Sequence, residues 1–277
     1  MIFHCIAGLP RSGSTMLATI LRQNPRFQVA IASPIPSLLD SLMRRMSGDS
    51  LWRPQFDEPG RRERILRGLI ENYQEFRRPG EVSIDHNQPW NGKLGLLHAL
   101  FPEARVIACV RDVPEILNSI ERIVRENPLE PAKLFHFNSE TTVYSRVAMM
   151  MAPGTGFVAQ CWEQLREAWY GPFREKLILL EYDKLISQPE RVLRNLYGRL
   201  EHPYFGHDFE HFYYWAEDAD RRTGMLGQHR VEGPIRPGKA ENFLPPDLIE
   251  RYSGPEVHFW RKEAACPTIP QPQPILA

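Results

Sequence analysis

The chain has 277 residues, of which 42% are hydrophobic and 25% charged. That is enough apolar content for one large or two small domains with a buried core, and it excludes a disordered tail protein. Lys plus Arg and Asp plus Glu number 34 each, so no global field recruits nucleic acid or an anionic membrane surface, and any anion site has to be local.

The first apolar run, Ile2 to Ala7, is stopped by Gly8-Leu9-Pro10. Met16, Leu17, Ile20 and Leu21 then recur at helical spacing within Ser14 to Gln23, which predicts strand, loop, helix. With no basic n-region before it and Arg11 soon after it, this start reads as the first strand and as neither a signal peptide nor a membrane span. The same order recurs downstream. Val82 to Asp85 precedes a helical stretch around Leu94 to Leu100, and Ala104 to Val110 precedes Pro114 to Arg125. Asp112 is placed to cap that last helix, and Pro114 suits its first turn. A helix through Ala159, Cys161, Trp162 and Leu165 leads to a strand at Leu177 to Glu181, followed by a helix from Pro189 to Leu200. Apolar strands alternating with helices predict an α/β domain with a parallel sheet covered on both faces.

Two stretches differ in character. Pro34 to Pro59 and Asn127 to Gly156 read as loop-rich or irregularly helical, the second holding Phe135-His136-Phe137 and Met149-Met150-Met151. Insertions of this length are either lids and binding loops or solvent-covering elaborations with Met as core filler. Beyond Cys266 the chain is Pro-rich and expected to be disordered or draped on the surface. The four cysteines, Cys5, Cys109, Cys161 and Cys266, lack CxxC or metal-ligand spacing, and Cys5 and Cys109 sit in strand-like runs. Small buried thiols and a reducing, cytoplasmic compartment are expected.

Gly8-Leu9-Pro10-Arg11-Ser12-Gly13-Ser14-Thr15 lies where a parallel sheet hands its first strand to a helix N-terminus. Backbone N–H groups converge at such a turn, which makes it an anion cradle, and Ser12, Ser14 and Thr15 add hydroxyls. The spacing approaches G-x-x-x-x-G-K-[ST], but Ser14 stands in the lysine position and the cation comes earlier, as Arg11. An ordinary Gly/Ser/Pro turn with Ser14 as helix N-cap is the plainer alternative. A second element is Val110-Arg111-Asp112, at the end of another strand, with Ser119 eight residues after Arg111. Arg at a strand end and a hydroxyl two turns into the next helix suit a second phosphate, or else are a surface Arg and a helix Ser.

Together these elements resemble the sulfotransferases that use 3′-phosphoadenosine 5′-phosphosulfate (PAPS). Leu9 to Thr15 is similar to their 5′-phosphosulfate loop, in the Arg-Ser-Gly version of tyrosylprotein and bacterial members, and Val110-Arg111-Asp112 with Ser119 is similar to their 3′-phosphate element. Glu181-Tyr182-Asp183-Lys184-Leu185 followed by Gln188-Pro189 resembles the strand end near the adenine. Leu226-Gly227-Gln228-His229-Arg230-Val231 resembles a cofactor-covering loop.

The resemblance implies a P-loop-kinase-like single α/β domain over residues 1–265, with loop and helix insertions over the active site and a tail at 266–277. It implies Arg11, Ser12, Gly13, Ser14 and Thr15 on the 5′-phosphosulfate, Arg111 and Ser119 on the 3′-phosphate, Tyr182 beside the adenine and Arg230 closing over the phosphates. Arg236 and Lys239 are weaker candidates for that closure. It also implies PAPS as cosubstrate, adenosine 3′,5′-bisphosphate (PAP) as product, and a small-molecule, carbohydrate or peptide acceptor, while the balanced charge leads us to expect no nucleic-acid partner.

Sulfuryl transfer follows the logic of phosphoryl transfer, in which charge on peripheral and leaving oxygens is stabilised by placed cations and amides. Arg11 is the expected catalytic cation. No metal is expected, since His207-Asp208 and His211 are the nearest approach to a ligand cluster. The acceptor proton needs a base. His86, after the second recognised strand, is the candidate, alternatively a stabiliser of the leaving group or a bystander, with Asp85 either holding it or capping the next turn. Tyrosylprotein sulfotransferases carry a catalytic Glu about twenty residues after the loop Arg, whereas here that count lands near Ala32, a departure that weighs against protein-tyrosine sulfation. A P-loop kinase or NTPase, and a non-catalytic binding protein of the same fold, stay open as alternatives.

Overall fold

A computed structural model describes residues 2–48, 51–74, 81–138, 141–236 and 241–261; the tail expected at 266–277, and Lys239, lie outside them. Five parallel strands form the central sheet: β1 (Ile2–Gly8), β2 (Phe27–Ile31), β3 (Val82–His86), β4 (Val106–Val110) and β5 (Leu177–Glu181), in the order β2-β3-β1-β4-β5. The strand at Phe27–Ile31, absent from the sequence reading, is a short half-buried run (FQVAI) at the sheet edge.

Strand period two sends alternate side chains to opposite faces. Phe3, Cys5 and Ala7 of β1 and Val106, Ala108 and Val110 of β4 face one core. There they meet α3 (Arg61–Gln74), α4 (Leu94–Leu100), α5 (Val113–Glu126), α7 (Phe157–Tyr170) and α11 (Pro246–Tyr252). Ile6, Ile107, Cys109, Ile178 and Leu180 face a second core with α1 (Ser14–Leu21) and α9 (Pro189–Arg199). Each face is apolar because each is covered, which explains why the strands read as continuous hydrophobic runs.

The two stretches expected to be loop-rich or irregularly helical each hold one regular helix. The first contains α2 (Ile35–Arg45) and the second α6 (Val143–Met150). Ile35, Leu39, Phe135, Val147 and Met150 all join the sheet's own core, so these aromatics and methionines are packing residues. The chain continues through α8 (Tyr182–Ser187) and α10 (Glu217–Thr223), with a two-stranded antiparallel ladder of β6 (Tyr213–Tyr214) and β7 (Val231–Glu232) bracketing α10 and the loop after it. Among the described residues no helix is long and apolar enough to cross a membrane. Cys5, Cys109 and Cys161 are buried free thiols.

From β1 the chain runs to one side of the sheet for β2 and β3 and to the other for β4 and β5. The loops leaving β1 and β4 therefore flank the crevice at the sheet's carboxyl edge where open α/β sheets take ligands.

Candidate active site

The β1–α1 turn is shaped by two left-handed residues and one obligatory glycine. Arg11 and Gly13 have φ of 56° and 83°, and alternating backbone hands turn successive N–H groups inward as an anion nest. Gly8 has φ 106°, and a Cβ there would lie 2.0 Å from the Cys109 carbonyl oxygen, so β1 and β4 approach this closely only because residue 8 has no side chain. Asn91 accepts from the Gly8 N–H at 3.0 Å and donates to its carbonyl at 2.9 Å, while the Leu9 N–H donates to Cys109 O at 2.8 Å.

Asn91 is placed in turn by Trp90, whose indole N–H donates to Asp85 at 2.6 Å; Gln74 donates to the other Asp85 oxygen at 2.9 Å. Asp85 is wholly buried, and burial raises its pKa against these hydrogen bonds. It therefore neither holds His86 nor caps the next turn, because adjacent strand residues face opposite sides of the sheet. His86 is 2% exposed on the other face, with neither ring nitrogen hydrogen-bonded. Burial, then His229 and Arg22, lowers its pKa to about 3, so the imidazole is neutral at physiological pH.

Of the cations that the resemblance placed on one cofactor, Arg11 and Arg111 lie together and Arg230 does not join them. Arg11 donates from Nε to Ser119 Oγ at 3.1 Å and from Nη1 to the Gln228 carbonyl. Arg111 lies over the Tyr182 ring, 4.2 Å from its centroid, donates to the Arg11 carbonyl at 3.4 Å and pairs with Glu115 at 2.8 Å. Gly13 presses against the same ring, since a Cβ there would lie 2.7 Å from Tyr182 Cδ2. Burial, followed by repulsion from Arg122 and Arg111, lowers the Arg11 pKa to about 10, leaving it charged at neutral pH. Beside the loop is a 570 Å³ cavity lined by Arg111, Ser119, Arg122, Tyr182, Arg236 and Asn242 among others.

Other loop residues take different parts. The Ser12 hydroxyl donates inward to the carbonyls of Leu9 and Cys109, so its amide is what it can offer an anion. Gly13, not Ser14, occupies the N-cap of α1, and Ser14 and Thr15 open that helix. The expected side-chain cap by Asp112 is absent: His258 Nε2 accepts the Val113 N–H at 3.1 Å, and Asp112 turns to Arg261. Arg230 stands outside the cluster, paired with Glu232 at 2.9 Å and 5.7 Å from the Trp215 ring centroid, on a 410 Å³ cleft shared with Leu226 and Gly227.

Arg122 and Asn118 were not singled out from the sequence. Asn118 clamps the C-terminal segment beside the cavity, donating to Glu241 O at 2.9 Å and accepting from Phe243 N at 2.7 Å. Their signal was present: Asn118 precedes Ser119, and Arg122 follows it by one helical turn on the same side of α5. Among the described residues no group of three or more His, Cys, Asp or Glu gathers as a metal ion requires.

A family model described as the sulfotransferase family matches residues 5–206, from within β1 to past α9. The chain belongs to that family. Protein-tyrosine sulfotransferase 1 of Danio rerio is 22% identical to it over 237 residues, 82% of this chain and 59% of that protein. The chain thus spans about three-fifths of the length of that curated relative. A solved sulfotransferase from Alicyclobacillus acidocaldarius is 14% identical, covers 75% of this chain and 84% of its own, and superposes with a TM-score of 0.50. Family membership and this shared fold agree with the doubly covered parallel sheet found here.

Proposed function

We propose that this sulfotransferase-family chain moves the sulfuryl group of PAPS to a hydroxyl or amine acceptor by in-line transfer. The observation that carries the reading is the convergence of Arg11, Arg111 and Arg122 on one nest of backbone amides. Cations buried together, so that one loses pKa to burial and then to their mutual repulsion, are stabilised by a polyanion placed among them. A nucleotide with phosphates at both 3′ and 5′ positions fits that donor set, the nest taking one group and Arg111 with the α5 residues the other. The Tyr182 ring, already stacked against Arg111, offers an aromatic edge for the base.

In the transfer, Arg11 faces the oxygens of the leaving 5′-phosphate, where negative charge grows as the sulfur–oxygen bond breaks. A preorganised guanidinium and amides stabilise that charge without reorganising, an effect worth about 10²–10³ in rate per donor. Ser119 and the Gln228 carbonyl fix the guanidinium plane from two sides, so its position does not depend on the substrate. The acceptor belongs to the class of small molecules, carbohydrates or peptides, and the buried free thiols suit a reducing cytoplasmic setting.

Thermal-shift titration of the purified chain tests the reading. PAP should raise the melting temperature in a saturable manner with no divalent metal added, and Mg-ATP should do so less. No stabilisation by PAP, or preference for Mg-ATP, would overturn it.

A further inference from the structure

The loop that supplies the Gln228 carbonyl to Arg11 also carries a histidine paired with a buried carboxylate. Asp220, wholly buried in α10, accepts from the His229 ring at Nδ1 (2.6 Å) and from the His229 backbone N–H (3.0 Å). Two contacts from one carboxylate hold both the main chain and the ring of residue 229. A carboxylate only accepts, so Nδ1 carries a proton and the neutral form of the ring has its lone pair on Nε2. No hydrogen bond engages Nε2 among the described residues, and the side chain is 24% exposed.

The pair is next to the transfer chemistry. Residue 228 touches Arg11 directly, Asp220 lies within electrostatic reach of the Arg11 guanidinium, and His229 lies within reach of His86 at the end of β3. His86 is itself 2% exposed, whereas the His229 side chain is 24% exposed. The Asn127 side chain donates to Leu226 O at 3.1 Å, and the β6–β7 ladder closes the segment, so the loop is anchored at several points.

Resting on the sulfotransferase reading above, we propose that His229, oriented by Asp220, is the general base for the acceptor. The acceptor oxygen attacks sulfur as its proton passes to Nε2. The bond from sulfur to the bridging phosphate oxygen breaks with its electron pair going to the phosphate beside Arg11. Asp220 stabilises the imidazolium formed, which later returns its proton to solvent.

The test uses the full chain with PAPS and a panel of phenols from 4-nitrophenol to 4-methoxyphenol, with water as the remaining acceptor. His229→Gln should keep PAP affinity within about twofold while losing about 10²–10⁴-fold in kcat with 4-methoxyphenol, the span of general-base contributions. Assayed at about pH 8.5, it should lose far less with 4-nitrophenol, whose oxygen is by then largely deprotonated, and Asp220→Asn should show the same graded pattern more weakly. No loss, or an equal loss across the panel, would overturn the proposal. If the unmodified chain transfers to none of these probes, ¹⁵N chemical shifts of the His229 ring decide: the Nδ1–H tautomer is expected, and Nε2–H overturns it. Failure of the unmodified chain to bind PAP strikes the sulfotransferase reading itself, and the ring tautomer still reports on the pair.

Discussion

The Nε–H of Arg11 donates to Ser119 Oγ at 3.1 Å, linking the loop after β1 to the middle of α5. Through Nη1 the same guanidinium holds the Gln228 carbonyl. One cation therefore fixes three segments that are far apart in sequence: the β1–α1 loop, α5 and the loop that carries His229. Burial, and then repulsion from Arg122 and Arg111, lowers the Arg11 pKa, a strain that an anion placed among these cations relieves.

That strain predicts an uncoupling of stability from binding at Arg122. Its one ion pair among the described residues, to Glu126 at 3.9 Å on the surface, is worth about 0.3–0.5 kcal/mol, and its loss is offset by relief of repulsion at Arg11. Arg122→Ala should leave the melting temperature of the free chain nearly unchanged and reduce the stabilisation by PAP. A drop in the free chain's melting temperature with PAP stabilisation intact would contradict this.

Arg111 should read the 3′-phosphate. Losing a charge-assisted hydrogen bond to a phosphate costs about 1.5–3 kcal/mol, or roughly 10- to 150-fold in affinity. Isothermal titration of Arg111→Ala should show that loss for PAP and a much smaller one for adenosine 5′-phosphate. Equal losses would place Arg111 elsewhere.

The two glycines of the loop should fail differently. At Gly8 an added Cβ meets the rigid backbone of Cys109 at 2.0 Å, so Gly8→Ala should cost more than about 4 kcal/mol and give little folded protein. At Gly13 the obstacle is the edge of the Tyr182 ring at 2.7 Å, with φ at 83°. Gly13→Ala should cost about 1–3 kcal/mol, fold, and bind PAP poorly because ring and nest are pushed apart. Denaturation midpoints and PAP titrations of both variants check the contrast.

Acid should destabilise the chain partly through His86. Its folded pKa is lowered to about 3 by burial, so the unfolded chain binds the extra proton as pH falls below about 6.5, and the stability that the neutral ring confers is lost from there down toward pH 3. At pH 4.5 this one group costs at most about 2–3 kcal/mol relative to pH 7. His4, likewise lowered to about 3 by burial, adds a term of the same sign. Since neither His86 nitrogen has a partner, His86→Leu forfeits no hydrogen bond. Its unfolding free energy should fall less steeply between pH 7 and 4.5 than that of the unmodified chain, and an identical slope would refute the assignment.

Much of the site was legible because its parts are local. A nest needs Gly at left-handed positions beside a strand end, and Gly8, Gly13, Arg111 and Ser119 announce themselves by spacing along the chain. The doubly covered sheet was legible from apolar runs alternating with helices. The edge strand Phe27–Ile31 was not, because half-burial weakens both its hydrophobicity and its alternation, and α2 and α6 were hidden by the Pro and Met around them.

By itself, then, the sequence determined the fold class and the left-handed turn after the first strand, properties of backbone geometry and residue type read a few positions at a time, while the nearness of Arg11 to Arg111 was only implied by family resemblance. Only the tertiary structure decided which side chains face which. Strand period two turned Asp85 to Trp90 and sealed His86 on the opposite face, the closeness of β4 engaged the Ser12 hydroxyl, and the fold of residues 213–232 set Asp220 against His229 while drawing Arg230 to Glu232. Those pairings join residues whose contacts depend on how separate elements pack, and side-chain direction in a packed core is set by burial and by the partners within reach.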